Sequence, residues 1–365
     1  MKLRYRTPEE AGMLPERLQV AKDITQKWVN QDILNSAVIL VARHGVIVLH
    51  EAFGKLNYEP NSPPAELDTL YLMASITKPV TATALMCLVE DGLVGLNHPV
   101  VGYIPEFVGE GKDKVLIGQL LTHTSGITDE DTGKHIEAKK GKVEIPPCEP
   151  TQDPQLNELY FLMYDVPLSY TTGKEMRYCS HNYNLIGEII RRVSGKSLDN
   201  FSRERIFDKL GMKDSCYGSP KNAGNRVAKI STKLASPGWN QDMTPATGAG
   251  GLFTSAMDMA IFAQMFLNKG AYGDKRILCP SSVHEMTHNQ IPGISARYRD
   301  EFFPEANWCY GWQWLDEGSM LSSKSFGHGG WGGVYLWGDP VYDVIGVFFT
   351  RSNDEKEIYI ESGLF

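Results

Sequence analysis

The sequence of 365 residues lacks several features that would assign it to a particular environment. It contains no apolar run of membrane-spanning length, no apolar segment near the N-terminus of the kind found in a secretory signal, and no Lys/Arg-rich block. The net charge is −8 and the isoelectric point is near 5.7. We therefore expect a cytoplasmic protein with no membrane and no nucleic acid among its partners.

Cysteine is scarce and dispersed, since the six cysteines form no C-x-x-C motif. In a chain of this size, dispersed cysteines are typical of free thiols rather than of a disulfide framework. The G-x-S-x-G nucleophile elbow of α/β-hydrolases is absent as well, which disfavours that fold. What is present is an ordinary apolar fraction of 42% and a length that suggests about two domains.

Strand-like patterns lie near both ends of the chain, and the middle is mostly helical. The predicted strands are Ser36–Ala42, Val46–Phe53, Ala249–Thr254, Tyr310–Leu315, Val334–Trp337 and Val344–Thr350. The predicted helices are 14–31, the stretch after Ser75, 182–194, 198–209, 256–268, 278–290 and Asp354–Glu361. We therefore predict an α+β fold with an antiparallel sheet flanked by helices. Residues 1–74 and 240–365 would form the sheet domain and residues 75–239 an inserted, mostly helical domain, with the active site between them.

Ser75 and Lys78 form an S-x-x-K pattern at the beginning of a predicted helix. Residues three apart share a helix face, so the two side chains can meet. A serine hydroxyl becomes a good nucleophile only when a base or a cation activates it, and a helix N-terminus favours developing negative charge. The pattern is common by itself, so its meaning depends on the rest of the chain.

Three further segments allow the S-x-x-K pattern to be interpreted. They are Leu120–Ile127 with the sequence LLTHTSGI, Tyr178-Cys179-Ser180, and Phe326–Gly333 with the sequence FGHGGWGG. In this order and spacing the motifs resemble those of the serine β-lactamase and penicillin-binding-protein superfamily, nearest to class C β-lactamases, D-aminopeptidases and family VIII carboxylesterases. The resemblance covers about residues 8 to 350. It implies a β-lactamase/transpeptidase-like fold, a small ester or amide substrate, and no metal or organic cofactor.

The resemblance also implies roles for particular residues. Ser75 matches the acyl-accepting nucleophile, Lys78 its partner amine, and Tyr178 the tyrosine of a Tyr-x-Asn motif in which Ser180 replaces the asparagine. The run His328-Gly329-Gly330 stands where a Lys-Thr-Gly motif is usual. A mostly neutral histidine holds a β-lactam carboxylate less well than a lysine does, which favours the esterase branch.

The acyl oxyanion needs hydrogen-bond donors, for which we predict the backbone N–H groups of Ser75 and Trp331. Gly329 and Gly330 lack side chains, so they would let an acyl group lie close to the chain. Burial lowers the pKa of a lysine, and a neighbouring ammonium lowers the pKa of a tyrosine. Whether Lys78 or Tyr178 is the general base therefore stays open.

The resulting hypothesis is a carboxylesterase that acts on small, short- to medium-chain esters through an acyl-enzyme on Ser75. A D-amino-acid amidase or peptidase, or a weak β-lactamase, is the alternative on the same residues. A second alternative is a zinc hydrolase, because His284 and His288 fit the H-E-x-x-H signature, with Glu301 or Glu305 as a third ligand. A third alternative is a non-catalytic binding protein that kept the fold.

Overall fold

The computed structural model describes residues 1–221, 223–231, 240–298, 301–315 and 320–352. The predicted helix at Asp354–Glu361 lies outside these ranges. Within them, no helix has the length and apolar character needed to cross a membrane. All six cysteines are described and each carries a free thiol, as predicted.

The strands and helices follow one another along the chain as two interleaved series. The strands are β1 Arg4–Tyr5, β2 Leu34–Arg43, β3 Val46–Gly54, β4 Tyr71–Leu72, β5 Met176–Arg177, β6 Cys216–Tyr217, β7 Leu252–Thr254, β8 Ala271–Tyr272, β9 Lys275–Arg276, β10 Ala296–Tyr298, β11 Glu301–Phe303, β12 Gln313–Trp314, β13 Phe326–Gly330, β14 Val334–Asp339 and β15 Val344–Ser352. The helices are α1 Pro15–Asn30, α2 Thr77–Glu90, α3 Ile117–Leu121, α4 Asp129–Lys139, α5 Pro154–Met163, α6 Ser180–Ser194, α7 Leu198–Ser202, α8 Asp208–Leu210, α9 Ala256–Leu267 and α10 Pro280–Thr287.

The main sheet contains seven strands among the described residues, in the order β1-β3-β2-β15-β14-β13-β12. Its neighbours are antiparallel except for the parallel pair β1 and β3. The ladder between β2 and β15 runs from Arg43 opposite Val344 to Ala37 opposite Thr350 and beyond. Both ends of the chain thus build one sheet, which confirms the predicted α+β fold.

Helices cover both faces of this sheet. Successive side chains of a strand point to opposite faces. Val38 and Leu40 accordingly belong to the large core that α9 contacts, whereas Ile39 belongs to a smaller cluster under α1. Because both faces are covered, β2 reads as a nearly continuous apolar run rather than as an alternating one.

Helix α2 lies at the centre of the helical part. Its residues from Thr77 to Leu88 are all buried, as expected for a helix that is apolar on every side. It packs against α6, and β13 packs against the short 3-10 turn Ala74–Ile76 that immediately precedes α2. The beginning of α2 is therefore held between the sheet edge and the helices.

Some predicted elements differ from those observed. The predicted helix 198–209 is divided by a π-helical turn, Arg203–Phe207. The segment Phe326–Gly333 is not among the predicted strands, but its first five residues form strand β13. Glycine is a poor strand former, yet Gly330 fits here because a Cβ at this position would lie 2.3 Å from the carbonyl oxygen of Met73.

Candidate active site

Ser75 lies in the 3-10 turn Ala74–Ile76, between strand β4 and helix α2. Ala74 has φ 44°, a left-handed conformation that costs an alanine roughly 1–2 kcal/mol. Strand β4 pairs with β7 and fixes the chain just before this turn. The Ser75 side chain is partly exposed and lines the cavity described below.

Lys78 is one helical turn further along and is fully buried. Its Nζ lies 3.1 Å from Ser75 Oγ and 3.0 Å from the carbonyl oxygen of Ala249. Burial lowers the pKa of Lys78 to about 7, and the charge of Asp129 opposes this effect. A neutral amine can donate an N–H to Ala249 and still offer its lone pair to the Ser75 hydroxyl.

Tyr178 completes the cluster. Lys78 Nζ lies 4.8 Å from the centroid of the Tyr178 ring. The ring is partly exposed at the cavity wall, but the hydroxyl is enclosed and makes no hydrogen bond of ordinary length to a described residue. Burial raises the pKa of Tyr178 well above its usual value, and the nearby Ser75 hydroxyl opposes this less strongly. The phenol is therefore protonated at neutral pH.

His328 lies on β13, beside this cluster, and is 2% exposed. Its Nδ1 donates a hydrogen bond of 2.6 Å to the carbonyl oxygen of Gly329. Burial, followed by the charge of Lys78, lowers the pKa of His328 to about 3, so the ring is neutral. Its Nε2 is enclosed, with no hydrogen-bond partner among the described residues. A neutral imidazole cannot replace the lysine charge that usually faces a carboxylate.

The remaining predicted site residues divide into two groups. Gly329, Gly330 and Trp331 line the same cavity as Ser75. Ser180 does not belong to that lining, because it is the first residue of α6 and its backbone N–H points to Asp129. Its predicted contact with substrate stays a prediction.

The cavity has a volume of about 640 Å³ and is mainly apolar, with many aromatic side chains in its wall. Its aromatic lining includes Tyr178, Tyr298, Phe303, Trp308, Trp314 and Trp331. Trp312 is fully buried in the core, whereas Trp308 and Trp314 contribute to the cavity wall. The hairpin of β10 and β11, which carries Tyr298 and Phe303, has no sequence signal that we recognised.

His123, from the LLTHTSGI segment, packs against the ring of Tyr178. It is fully buried, and its Nδ1 accepts the backbone N–H of Cys179 at 3.1 Å. Its ring centroid lies 4.4 Å from that of Tyr178 and 4.9 Å from that of Trp308. The residue therefore positions the Tyr178 ring rather than facing the cavity.

The H-E-x-x-H motif lies elsewhere. The donor atoms of His284, Glu285 and His288 come within 4.8 Å of one another at the end of α10, but none of these residues lines the cavity. Glu305 lines the cavity and accepts the backbone N–H of Gly293 at 3.2 Å, apart from this cluster. The proposed third ligands, Glu301 and Glu305, are not part of the cluster.

Known proteins resemble this chain in sequence and in fold. A family model described as Beta-lactamase matches residues 20–361. N-acetylmuramyl-L-alanine amidase of Bacillus subtilis (strain 168) is 26% identical over 84% of this chain and 75% of its own length. Esterase EstB of Burkholderia gladioli is 32% identical over 58% of this chain and 53% of its own length. The crystal structure of a family VIII carboxylesterase superposes with a TM-score of 0.73 at 22% identity, covering 96% of this chain and 97% of that one.

The family model spans nearly the whole chain, and the motifs that carry the resemblance meet at one cavity in the fold of that family. Relatives in the family are named as amidases, carboxypeptidases and esterases, all of which are hydrolases. This chain therefore belongs to the beta-lactamase family of serine hydrolases.

Proposed function

We propose that this hydrolase is a carboxylesterase, which cleaves small esters of short- to medium-chain acids through an acyl-enzyme on Ser75. The observation that carries the proposal is the 3.1 Å contact between Ser75 Oγ and the buried amine of Lys78 at the edge of an aromatic cavity. A lysine with a pKa of about 7 is substantially neutral at physiological pH and is a competent base.

In the acylation step, the lone pair of Lys78 Nζ takes the proton of Ser75 as Oγ attacks the ester carbonyl carbon. The carbonyl oxygen becomes an oxyanion, which the backbone N–H groups of Ser75 and Trp331 stabilise. Each such donor contributes roughly 3–4 kcal/mol in the transition state. Gly330 keeps the chain before Trp331 close to the turn that carries Ser75, since it packs against the backbone of Met73.

When the tetrahedral intermediate collapses, the protonated phenol of Tyr178 donates its proton to the leaving alkoxide. The Lys78 ammonium returns a proton to the phenolate, so both groups regain their starting forms. Water then attacks the acyl-enzyme by the same route, with Lys78 again as the base. This assignment uses the amine with the lowered pKa as base and the phenol with the raised pKa as acid.

Two features favour esters over β-lactams or peptides that carry a free carboxylate. His328 is neutral, so β13 presents no cation where the related Lys-Thr-Gly motif has one. The cavity wall is also mainly apolar and rich in aromatic side chains. The names of esterase EstB and of the family VIII carboxylesterase agree with this choice.

An amidase acting on substrates with a carboxylate is the second candidate, and Arg297 is the observation that favours it. Its guanidinium lines the cavity and is half exposed. However, Arg297 Nε already lies 2.8 Å from the carboxylate of Glu175, which offsets its charge. A relative named as an amidase shares the family, so amide cleavage is retained as the alternative to ester cleavage.

The test compares kcat/KM on p-nitrophenyl butyrate, nitrocefin and D-alanine amide. We expect the ester to be preferred by at least about a hundredfold. A fluorophosphonate probe should label Ser75, and Ser75→Ala should lose both labelling and ester hydrolysis while the exposed Ser281→Ala keeps both. Preference for the amide would support the second candidate. Absence of labelling in the folded protein would overturn the proposal in favour of a non-catalytic binding protein.

We also propose the division into residues 1–74 with 240–365 and residues 75–239. All seven strands of the main sheet come from the first set, and helices α2 to α8 come from the second. A cytoplasmic location is likewise proposed, with the free thiols as its support.

A further inference from the structure

We propose that the end of helix α10 is a binding site for a divalent transition-metal cation, Zn²⁺ in the first instance. The site is formed by His284, Glu285 and His288, and it is separate from the Ser75 cavity. In this proposal the H-E-x-x-H motif binds a metal ion and takes no part in hydrolysis.

The three side chains converge at the surface. His284 is in the last turn of α10, and His288 directly follows the helix. Their ring centroids lie 4.7 Å apart with the ring planes at 15°, and the donor atoms of all three residues lie within 4.8 Å of one another. Zinc binds imidazole nitrogen and carboxylate oxygen at about 2.0–2.2 Å, so the two imidazole rings must turn out of their stacked arrangement for their lone pairs to meet on one ion.

The tautomer of His288 suits a metal ligand. Its Nδ1 lies 2.8 Å from the carbonyl oxygen of His284, and because a carbonyl can only accept, Nδ1 carries the proton. The lone pair is therefore on Nε2. Ligating histidines are commonly held in this way, with the other ring nitrogen donating to a backbone carbonyl.

The side chain of Gln290 already binds the carboxylate of this cluster. Its nitrogen donates to Glu285 Oε2 at 3.2 Å and to the carbonyl oxygen of Glu285 at 2.8 Å, and it lies over the face of the His288 ring, 3.1 Å from Nε2 and 3.3 Å from Nδ1. An amide NH₂ carries partial positive charge, so Gln290 satisfies a carboxylate electron pair that a cation would bind. Metal binding would displace this amide, and imidazole with carboxylate is a donor set that suits Zn²⁺.

The site also has a structural link to the cavity wall. The backbone N–H of Gln290 donates to the carbonyl oxygen of Trp308 at 2.8 Å, and Asn289 Nδ2 donates to that of Ala306 at 3.3 Å. Trp308 and Ala306 both line the Ser75 cavity. A cation bound at the helix end would stabilise the folded chain, so we expect the melting temperature to rise with zinc concentration.

The experiment is isothermal titration of the full chain with ZnCl₂ after dialysis against a chelator. We expect one high-affinity site, which His284→Ala or His288→Ala weakens by more than about tenfold. Gln290→Ala should bind more tightly, because it removes the competing amide. His98→Ala, at an exposed histidine outside the cluster, should bind as the unmodified chain does.

Circular dichroism of each variant checks that loss of binding is not loss of the fold. Equal zinc affinity in the unmodified chain and in both histidine variants would overturn the proposal, as would the absence of binding at millimolar zinc. Ester hydrolysis should be unchanged by the chelator and by His284→Ala. Loss of hydrolysis in both cases would instead indicate a catalytic metal and would contradict the non-catalytic role argued above.

Discussion

The carboxylate of Asp129 accepts the backbone N–H of Ser180 at 2.9 Å, so the first residue of α4 caps the N-terminus of α6. It also accepts the backbone N–H of His181 at 3.2 Å. This cap lies directly after Tyr178 in the chain, and the charge of Asp129 favours the ammonium form of Lys78. One carboxylate thus anchors the helix next to the phenol and adjusts the protonation of the amine.

Asp129→Asn should shift the pH dependence of ester hydrolysis to lower pH. Without the negative charge, the Lys78 ammonium loses its main stabilising partner, so the pKa of Lys78 falls further below 7 and the neutral base persists in more acidic solution. The measurement is kcat/KM against pH. Asp131→Asn on the same helix is the control, because Asp131 does not contribute to the pKa of Lys78. If the acidic side of the kcat/KM profile did not shift in Asp129→Asn, the electrostatic role of Asp129 would be contradicted.

Lys78→Met should abolish ester hydrolysis and also change how stability depends on pH. In the folded chain the pKa of Lys78 is lowered from 10.5 to about 7, so between these values the unfolded state binds more protons and the free energy of unfolding rises with pH. The methionine variant lacks this contribution. Urea denaturation at several pH values from 7 to 10.5 should therefore show a steeper rise in the unmodified chain. Parallel curves for the two proteins would show that Lys78 is not buried as described.

Tyr178→Phe should slow the cleavage of alkyl esters by about 10²–10⁴, because the leaving alkoxide then has no proton donor. A p-nitrophenyl ester should be affected less, since p-nitrophenolate leaves without protonation. The comparison of ethyl and p-nitrophenyl butyrate therefore isolates the acid role. Tyr335→Phe is a matched control, as Tyr335 lines the same cavity. Equal losses on both esters would point to a role in orientation instead of proton donation.

Gly330→Ala should destabilise the protein and inactivate it, whereas Gly329→Ala should be tolerated. A Cβ at Gly330 would lie 2.3 Å from the carbonyl oxygen of Met73, a backbone atom that cannot move aside without displacing the turn at Ser75. At Gly329 the nearest atom is 3.4 Å away, in the ring of Tyr335. Overpacking of this kind costs about 1–3 kcal/mol. Thermal denaturation and ester hydrolysis of the two variants measure the difference.

The sequence motifs identified the site residues whose arrangement depends on local structure. Ser75 and Lys78 meet because a helical turn fixes their separation, and the order of the motifs supplies Tyr178. Asp129 was not identified, because its contact with Ser180 joins two helix starts that only the tertiary fold brings together. We expected a neutral His328. How far its pKa falls below the usual histidine value depends on its burial, which cannot be read from the sequence.

In the fold as well, elements set by local sequence were predicted, and elements set by tertiary contacts were not. The two strands of the β2–β3 pair were predicted because each is a local run of strand-like, largely apolar residues. Strand β13 was not predicted, because a glycine-rich run has little intrinsic tendency to form a strand. It is a strand here because it pairs with β12 and β14 and lies close to Met73.

The pairing of β2 with β15 has a consequence for biosynthesis. Val38 lies opposite Phe349, so one edge of the N-terminal hairpin finds its partner only after nearly the whole chain has left the ribosome. Until then an apolar strand edge is unpaired and open to association with other chains. Such long-range pairing slows folding, and we expect chains that stop before Val344 to aggregate.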